Sequence, residues 1–345
     1  MNKRVIWFDY LRVLATFAVI VLHVAAQNWR SVEVNTVDWQ VFNVFDSLTR
    51  WSVPVFVMIS GALFLDRECD IKKLYSKNIL RMFTAFVFWS VIYALVNGTG
   101  KFNMLIRFIS GHYHMWFIPM IIGMYMCVPI IKKVTDSKKA TEYFLKMAFV
   151  FSFMIPFVVQ LIGEFAPQKV VLVANTFNST INCMNLYIVF GYVCYFIGGY
   201  YLNSIELKKK TRYVIYALGL LGAVATIGMT AYFSAQAQKP VADYYDNFSL
   251  NVMITAVALF VFAKNEGRNS VKWLDGIVVK LSKYSFGAYL IHVLIIQQLD
   301  LRLGLNTLSF NSAIAVPAIS VVVFFVSFGI SAALNNIPFL KKYIV

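Results

Sequence analysis

The sequence predicts an all-α fold, a polytopic integral-membrane bundle of about ten transmembrane helices forming a single domain over residues 1–345. Three observations predict it. Hydrophobic residues make up 60% of the chain and charged ones 14%, with a mean hydropathy of +0.69, a balance foreign to two soluble domains of this length. The apolar residues gather in runs long enough to cross a hydrocarbon core, for which about 17–25 residues suffice. The runs lack strand-like alternation, which excludes a β-barrel.

In order, the spans run over 5–27, 38–65, 78–97, 115–131, 147–163, 186–203, 213–234, 249–264, 284–303 and 313–335. The first follows Lys3 and Arg4 and would pass for a signal peptide ending near Ala25, except that Asp9 and Arg12 interrupt it and many spans follow. The second ends before Arg67. The third starts after Lys72, Lys73 and Lys77, and the fourth closes on Lys132 and Lys133. The fifth starts after Lys146, the sixth and seventh are divided by Lys208–Arg212, and the eighth ends at Lys264. The ninth follows Lys280 and Lys283, and the tenth is followed by Lys341 and Lys342.

These clusters carry the orientation. With an even span count and both termini in the cytoplasm, 23 of the 31 Lys and Arg residues face inward. The net charge of +15 is therefore a topology signal, and no nucleic-acid partner is expected. The four cysteines form no CxxC pair, which supports neither a zinc site nor a disulfide framework. No metal ligand set is apparent.

The first span, WFDYLRVLATFAVIVLHV, holds three polar groups that need a reason. Eleven steps along the helix lead from Arg12 to His23, about three full turns and roughly 16 Å, so both project from one face, half a bilayer core apart. Asp9 is an i,i+3 partner for Arg12. The plain reading is an Arg12–Asp9 pair with His23 at the outer interface; the functional one is a substrate path, since an Arg in a membrane helix costs roughly 2.5–3.5 kcal/mol on insertion scales.

Asp9-x-x-Arg12 followed by ten residues and His23, at the head of a ten-span chain, resembles the acyltransferase-3 family of bacterial membrane O-acyltransferases. The resemblance continues through SVPVFVMISG (Ser52–Gly61), HMWFIP (His114–Pro119) and YSFGAYLIH (Tyr284–His292), and covers essentially the whole chain. It implies a protein of the bacterial cytoplasmic membrane that moves an acyl group, acetyl by default, from cytoplasmic acyl-CoA to a hydroxyl of a cell-surface or lipid-linked sugar. Acyl-CoA is then a donor substrate, with no bound cofactor, and membrane lipids are the other partners. Relatives often carry Arg-x-x-Arg near the third span. Here Asn78 precedes Arg81 at that spacing, and Lys77 with Arg81 would take over the grip on the donor. No soluble esterase-like segment follows the tenth span.

Acyl transfer to a hydroxyl needs a base and donors for the oxyanion. Histidine suits the first role near neutral pH, so His23 is the expected base, with Asp9 and Arg12 as its companions and Arg12 also lining the donor route. His112, His114 and Trp116 are candidates for contacting the acceptor, although an aromatic belt is expected there anyway. His292 and Ser60 are candidates for structural-functional roles; no GxSxG elbow surrounds Ser60, so a serine hydrolase is not expected. Glu33, Asp38 and Asp46 are read as solvated loop charges and not as a glycosyltransferase carboxylate set. A transporter using Arg12 and His23 as pathway groups is the alternative.

Overall fold

The computed structural model describes residues 4–98, 100–267 and 272–345, so Lys3 and Arg268, two of the expected inner cations, lie outside the described residues. The chain is 81% helical, with no strand among the described residues.

The chain opens with α1 (Ile6–Ala25), α2 (Val37–Ser47) and α3 (Ser52–Leu65). A short α4 (Ile71–Lys73) runs through a π-helical stretch at Leu74–Ile79 into α5 (Leu80–Asn97). Then come α6 (Lys101–Ser110), a 3-10 turn at Tyr113–Trp116, α7 (Phe117–Thr135) and α8 (Lys138–Ala148). A second π-helical stretch at Phe149–Met154 leads to α9 (Ile155–Phe165), α10 (Gln168–Asn182), α11 (Tyr187–Phe190) and α12 (Val193–Ser204). The chain ends with α13 (Lys209–Ala237), α14 (Leu250–Glu266), α15 (Lys272–Leu303), α16 (Ser312–Leu334) and α17 (Pro338–Tyr343). Polar residues start several of these helices: Thr36 accepts from Trp39 N, Ser137 from Ala140 N and Asn311 from Ala313 N, each satisfying an amide that the first turn leaves open.

Among the described residues nine helical stretches are long and apolar enough to cross a membrane, matching nine of the ten expected spans. The stretch expected at 186–203 is instead broken into α11 and α12. Gly191 and Tyr192 form the turn between them, and the twelve residues of α12 rise only about 18 Å. The break is tolerable because α12 packs on α3, α8 and α14, which cover its backbone; broken helices survive at membrane depth only when protein surrounds them.

The structure divides into two compact units. The first comprises Met1–Thr49, Glu68–Pro129 and Gly267–Val345. In it α1 lies against α2, α15 and α16, and α5 against α6 and α17. A buried core joins Trp89 and Tyr93 of α5, Met115 and Ile118 around the 3-10 turn, and Leu290, Ile291 and Val293 of α15.

The second unit comprises Arg50–Arg67 and Ile130–Glu266. Small residues let its helices meet closely. A Cβ on Gly61 would stand 1.8 Å from the Phe196 carbonyl oxygen, and one on Gly199 would stand 2.0 Å from that of Met58, so α3 and α12 touch backbone to backbone in antiparallel sense. Two lysines of the positive clusters have local work in this unit. Lys132 Nζ donates to the Leu65 and Arg67 carbonyls (3.0 and 2.5 Å) at and just past the end of α3, and Lys264 Nζ donates to those of Leu202 and Ile205 (3.0 and 2.5 Å), satisfying helix C-termini. Because the Gly61 contact is with backbone, Gly61→Val should cost about 3 kcal/mol or more, the upper end for overpacking, and lower the melting temperature in detergent. A melting temperature equal to wild type would show that α3 and α12 can separate at no cost.

Candidate active site

All four histidines of the chain converge in the first unit. His23 occupies the last turn of α1, His112 and His114 flank the start of the 3-10 turn before α7, and His292 lies in α15. The His23 ring centroid lies 5.1 Å from that of His292 and 6.2 Å from that of His114, and His114 lies 5.2 Å from His292 and 5.1 Å from His112. Local sequence explains the placement. Gly111 adopts a φ of +68°, a left-handed conformation that ends α6, and the following turn brings two histidines at i and i+2 together.

Burial divides the four. His114 and His292 are sealed, at 2% and 0% exposure, while His23 and His112 are half-buried. Tyr113 (62% exposed) and Trp116 (42%) are exposed rings beside them, and Tyr113 meets His23 edge to face at 5.5 Å. Tyrosines that the sequence reading missed hold the site from beneath. Tyr93 stacks on His112 at 4.4 Å, and its hydroxyl is inserted into the α15 ladder, donating to Leu290 O (2.9 Å) and accepting from Leu294 N (3.1 Å). Tyr289 donates to the His114 carbonyl at 2.5 Å. Tyr289 stands one turn before His292, a spacing visible in the sequence; Tyr93 carries no comparable signal.

The ring nitrogens form a chain. Asn97 Nδ2 lies 3.4 Å from Gln297 Oε1, Gln297 Nε2 lies 3.3 Å from His112 Nε2, and His112 Nδ1 lies 2.9 Å from His114 Nδ1. His292 Nδ1 lies 2.6 Å from the Tyr289 carbonyl. The Nε2 atoms of His114 and His292 are buried without a hydrogen-bond partner. No group of three or more His, Cys, Asp or Glu among the described residues is arranged to hold a metal ion.

At the other end of α1 the expected Asp9–Arg12 pair is secondary. Arg4 grips the buried Asp9 carboxylate with two bonds of 2.7 Å, from Nε and Nη2, whereas Arg12 stands 3.8 Å away. The forked guanidinium five residues upstream matches both carboxylate oxygens, which Arg12 one turn later does not. That hydrogen bond raises the Arg4 pKa. Arg12 donates instead to Ser282 Oγ of α15 at 3.1 Å. Arg81, one residue into α5, is half-buried; it donates to the Val345 main-chain oxygen at 2.6 Å and lies over the Phe286 ring at 5.5 Å. Tyr125 of α7 is within electrostatic range of both Arg12 and Arg81. Lys77 is exposed in the π-helical stretch before α5.

Ser60 belongs to the second unit, and its hydroxyl donates to the Phe56 carbonyl one turn earlier (2.9 Å). Asp46, expected among the solvated loop charges, is fully buried in α2, whereas Glu33 is exposed.

Apolar spanning helices that hold a half-buried arginine at one level and converge four imidazoles at another define a polytopic membrane protein with a polar site inside its bundle. The acyltransferase-3 family model, described as an acyltransferase domain, matches residues 5–334, and the chain belongs to this family of membrane acyltransferases. No curated protein and no solved structure matches the chain.

Proposed function

We propose that the protein is an O-acetyltransferase of the bacterial cytoplasmic membrane, with both termini in the cytoplasm. It takes the acetyl group from cytoplasmic acetyl-CoA and delivers it to a hydroxyl of an extracytoplasmic or lipid-linked cell-surface sugar. The observation that carries this reading is the convergence of His112, His114 and His292 on His23, three turns along the same helix from Arg12.

His23 is the base. It is half-buried beside sealed neighbours, so an acceptor arriving past Tyr113 and Trp116 can reach it. The acceptor oxygen attacks the thioester carbonyl carbon while its proton passes to the unprotonated ring nitrogen of His23. The carbonyl π electrons move onto oxygen. Collapse restores the C=O bond, breaks the C–S bond and releases CoA thiolate, which takes the proton back from the His23 imidazolium. Tyr113 and Trp116 offer the exposed aromatic surface on which a sugar ring stacks. Arg12, Arg81 and Lys77 attract the phosphates of the donor from the cytoplasmic side, and Asp9, fixed by Arg4, holds Arg12 in a charged setting.

Acetyl-CoA labelled in the acyl group, given to membranes with and without the protein, should place label in surface glycan only when the protein is present. Solute movement without thioester consumption would select the transporter reading. The topology has its own test. A cysteine at the exposed Ala237 should react with an impermeant maleimide on intact cells, and one at Lys72 only after permeabilisation. Ser234, fully buried and accepting from Val241 N, is a poor probe for the same loop. Reaction at Lys72 in intact cells would reverse the orientation.

A further inference from the structure

We propose that Asn97, Gln297 and His112 form a positioning relay that keeps the proton of His114 on Nε2 and so makes His114 the hydrogen-bond donor to the thioester oxyanion. This rests on the acyl-transfer reading above for its consequence, though not for its geometry.

The polarity follows from donor and acceptor rules. A carbonyl only accepts, so the 2.6 Å contact with Tyr289 O places the His292 proton on Nδ1 and leaves an open lone pair on Nε2. Across the cluster, two amides and two neutral imidazoles are linked end to end, and such a chain has two self-consistent directions. In one, Asn97 donates to Gln297 Oε1, Gln297 Nε2 donates to His112 Nε2, and His112 Nδ1–H donates to His114 Nδ1. His114 then carries its proton on Nε2. In the other direction every link reverses and His114 Nε2 carries a lone pair. The amide orientations decide between them. Asn97 presents its Nδ2 to Gln297 Oε1, and Gln297 presents its Nε2 to His112 Nε2. An amide nitrogen only donates, so His112 Nε2 accepts, its Nδ1 carries the proton that it gives to His114 Nδ1, and the His114 proton stands on Nε2.

A donor held this way is valuable for the chemistry. Its nitrogen is buried without a partner, and its ring is fixed by His112 Nδ1 at 2.9 Å and by Tyr289 on its own backbone carbonyl. It therefore meets the charge that develops on the thioester oxygen with little reorganisation. The relay residues never touch substrate; they act through His114.

The test uses the whole protein in nanodiscs. Because the chain has only four histidines, all in the cluster, nitrogen-15 labelling of imidazoles reads the relay without background. Wild type should show His114 with a pyridine-type Nδ1 and a pyrrole-type Nε2. Gln297→Glu puts an accept-only carboxylate against His112, and Asn97→Asp puts one against Gln297, so each should reverse the chain and move the His114 proton to Nδ1. Release of CoA thiol from acetyl-CoA by membranes carrying either variant should fall about 10²–10³-fold in kcat, the loss typical of one oxyanion donor, with the apparent KM for acetyl-CoA within about twofold. The two substitutions lie on different helices, so misfolding of one leaves the other readable. Wild-type tautomers in either folded variant, or reversed tautomers with unchanged kcat, would overturn the proposal. A wild type that releases no CoA thiol would sink the acyl-transfer reading instead, while the tautomers in the spectra would still decide whether the relay exists.

Discussion

His23→Ala should leave a folded, membrane-inserted protein that transfers almost nothing, with kcat lowered by about 10²–10⁴-fold, the range for removing a general acid–base group. The fold should survive because His23 sits half-buried in the last turn of α1, while that helix is held by its buried face of Leu11, Ala15, Ala18, Val19 and Ile20. Donor binding should survive as well, since Arg12 lies three turns away and is held by Ser282. The signature is therefore a lost kcat with a near-normal KM for acetyl-CoA. Purified His23→Ala protein that still transfers at close to the wild-type rate would remove His23 from the base role, leaving the imidazole cluster to be explained by another of its members.

Arg4→Ala and Arg12→Ala should separate stability from donor use. Arg4 supplies both short bonds to Asp9, a carboxylate at 3% exposure, so removing Arg4 leaves a buried charge poorly paired. The guanidinium is itself about half in solvent, which moderates the loss to about 1.5–3 kcal/mol, the range for hydrogen bonds to charged groups. A lower melting temperature and less folded protein should follow, with KM for acetyl-CoA nearly unchanged in what folds. Arg12→Ala should do the reverse. At 3.8 Å its pair with Asp9 contributes less than about 1 kcal/mol, and Arg4 continues to hold the carboxylate. Its loss should instead raise the KM for acetyl-CoA by about tenfold or more, equivalent to about 1.4 kcal/mol of donor contact. Equal melting temperatures for the two variants would show that Asp9 does not depend on Arg4.

Much of this was legible in the chain because the bilayer imposes a length and a polarity on every crossing. Ten apolar runs bounded by lysines and arginines specify an all-helical membrane bundle, and nine of them fall in helical stretches of sufficient length among the described residues. The tenth differs for a tertiary reason: α12 is short because α3, α8 and α14 shelter its backbone, and hydropathy along one segment carries no record of what shelters it. Within α1, helical periodicity was enough to align Arg12 with His23. It could not show that Asp9 belongs to Arg4, because a flexible arginine beyond the helix end competes through geometry and not through spacing.

The site follows the same division. His23 and His292 stand in the sequence as lone polar residues in apolar runs, and the 177 positions between His114 and His292 hold no sign that their rings will lie 5.2 Å apart. That meeting depends on Gly111 turning the chain after α6 and on α5, the 3-10 turn and α15 sharing one core. Tyr93 in the α15 ladder, Gln297 on His112 and Asn97 behind it are long-range contacts between separate helices, and only packing could select them. The sequence by itself determined the solvent in which this protein folds, its helical character and the polar residues placed inside its spans. The tertiary structure decided which of those residues meet and which hydrogen-bonding groups face each other, because a hydrogen bond depends on ångström distances that one-dimensional spacing does not encode.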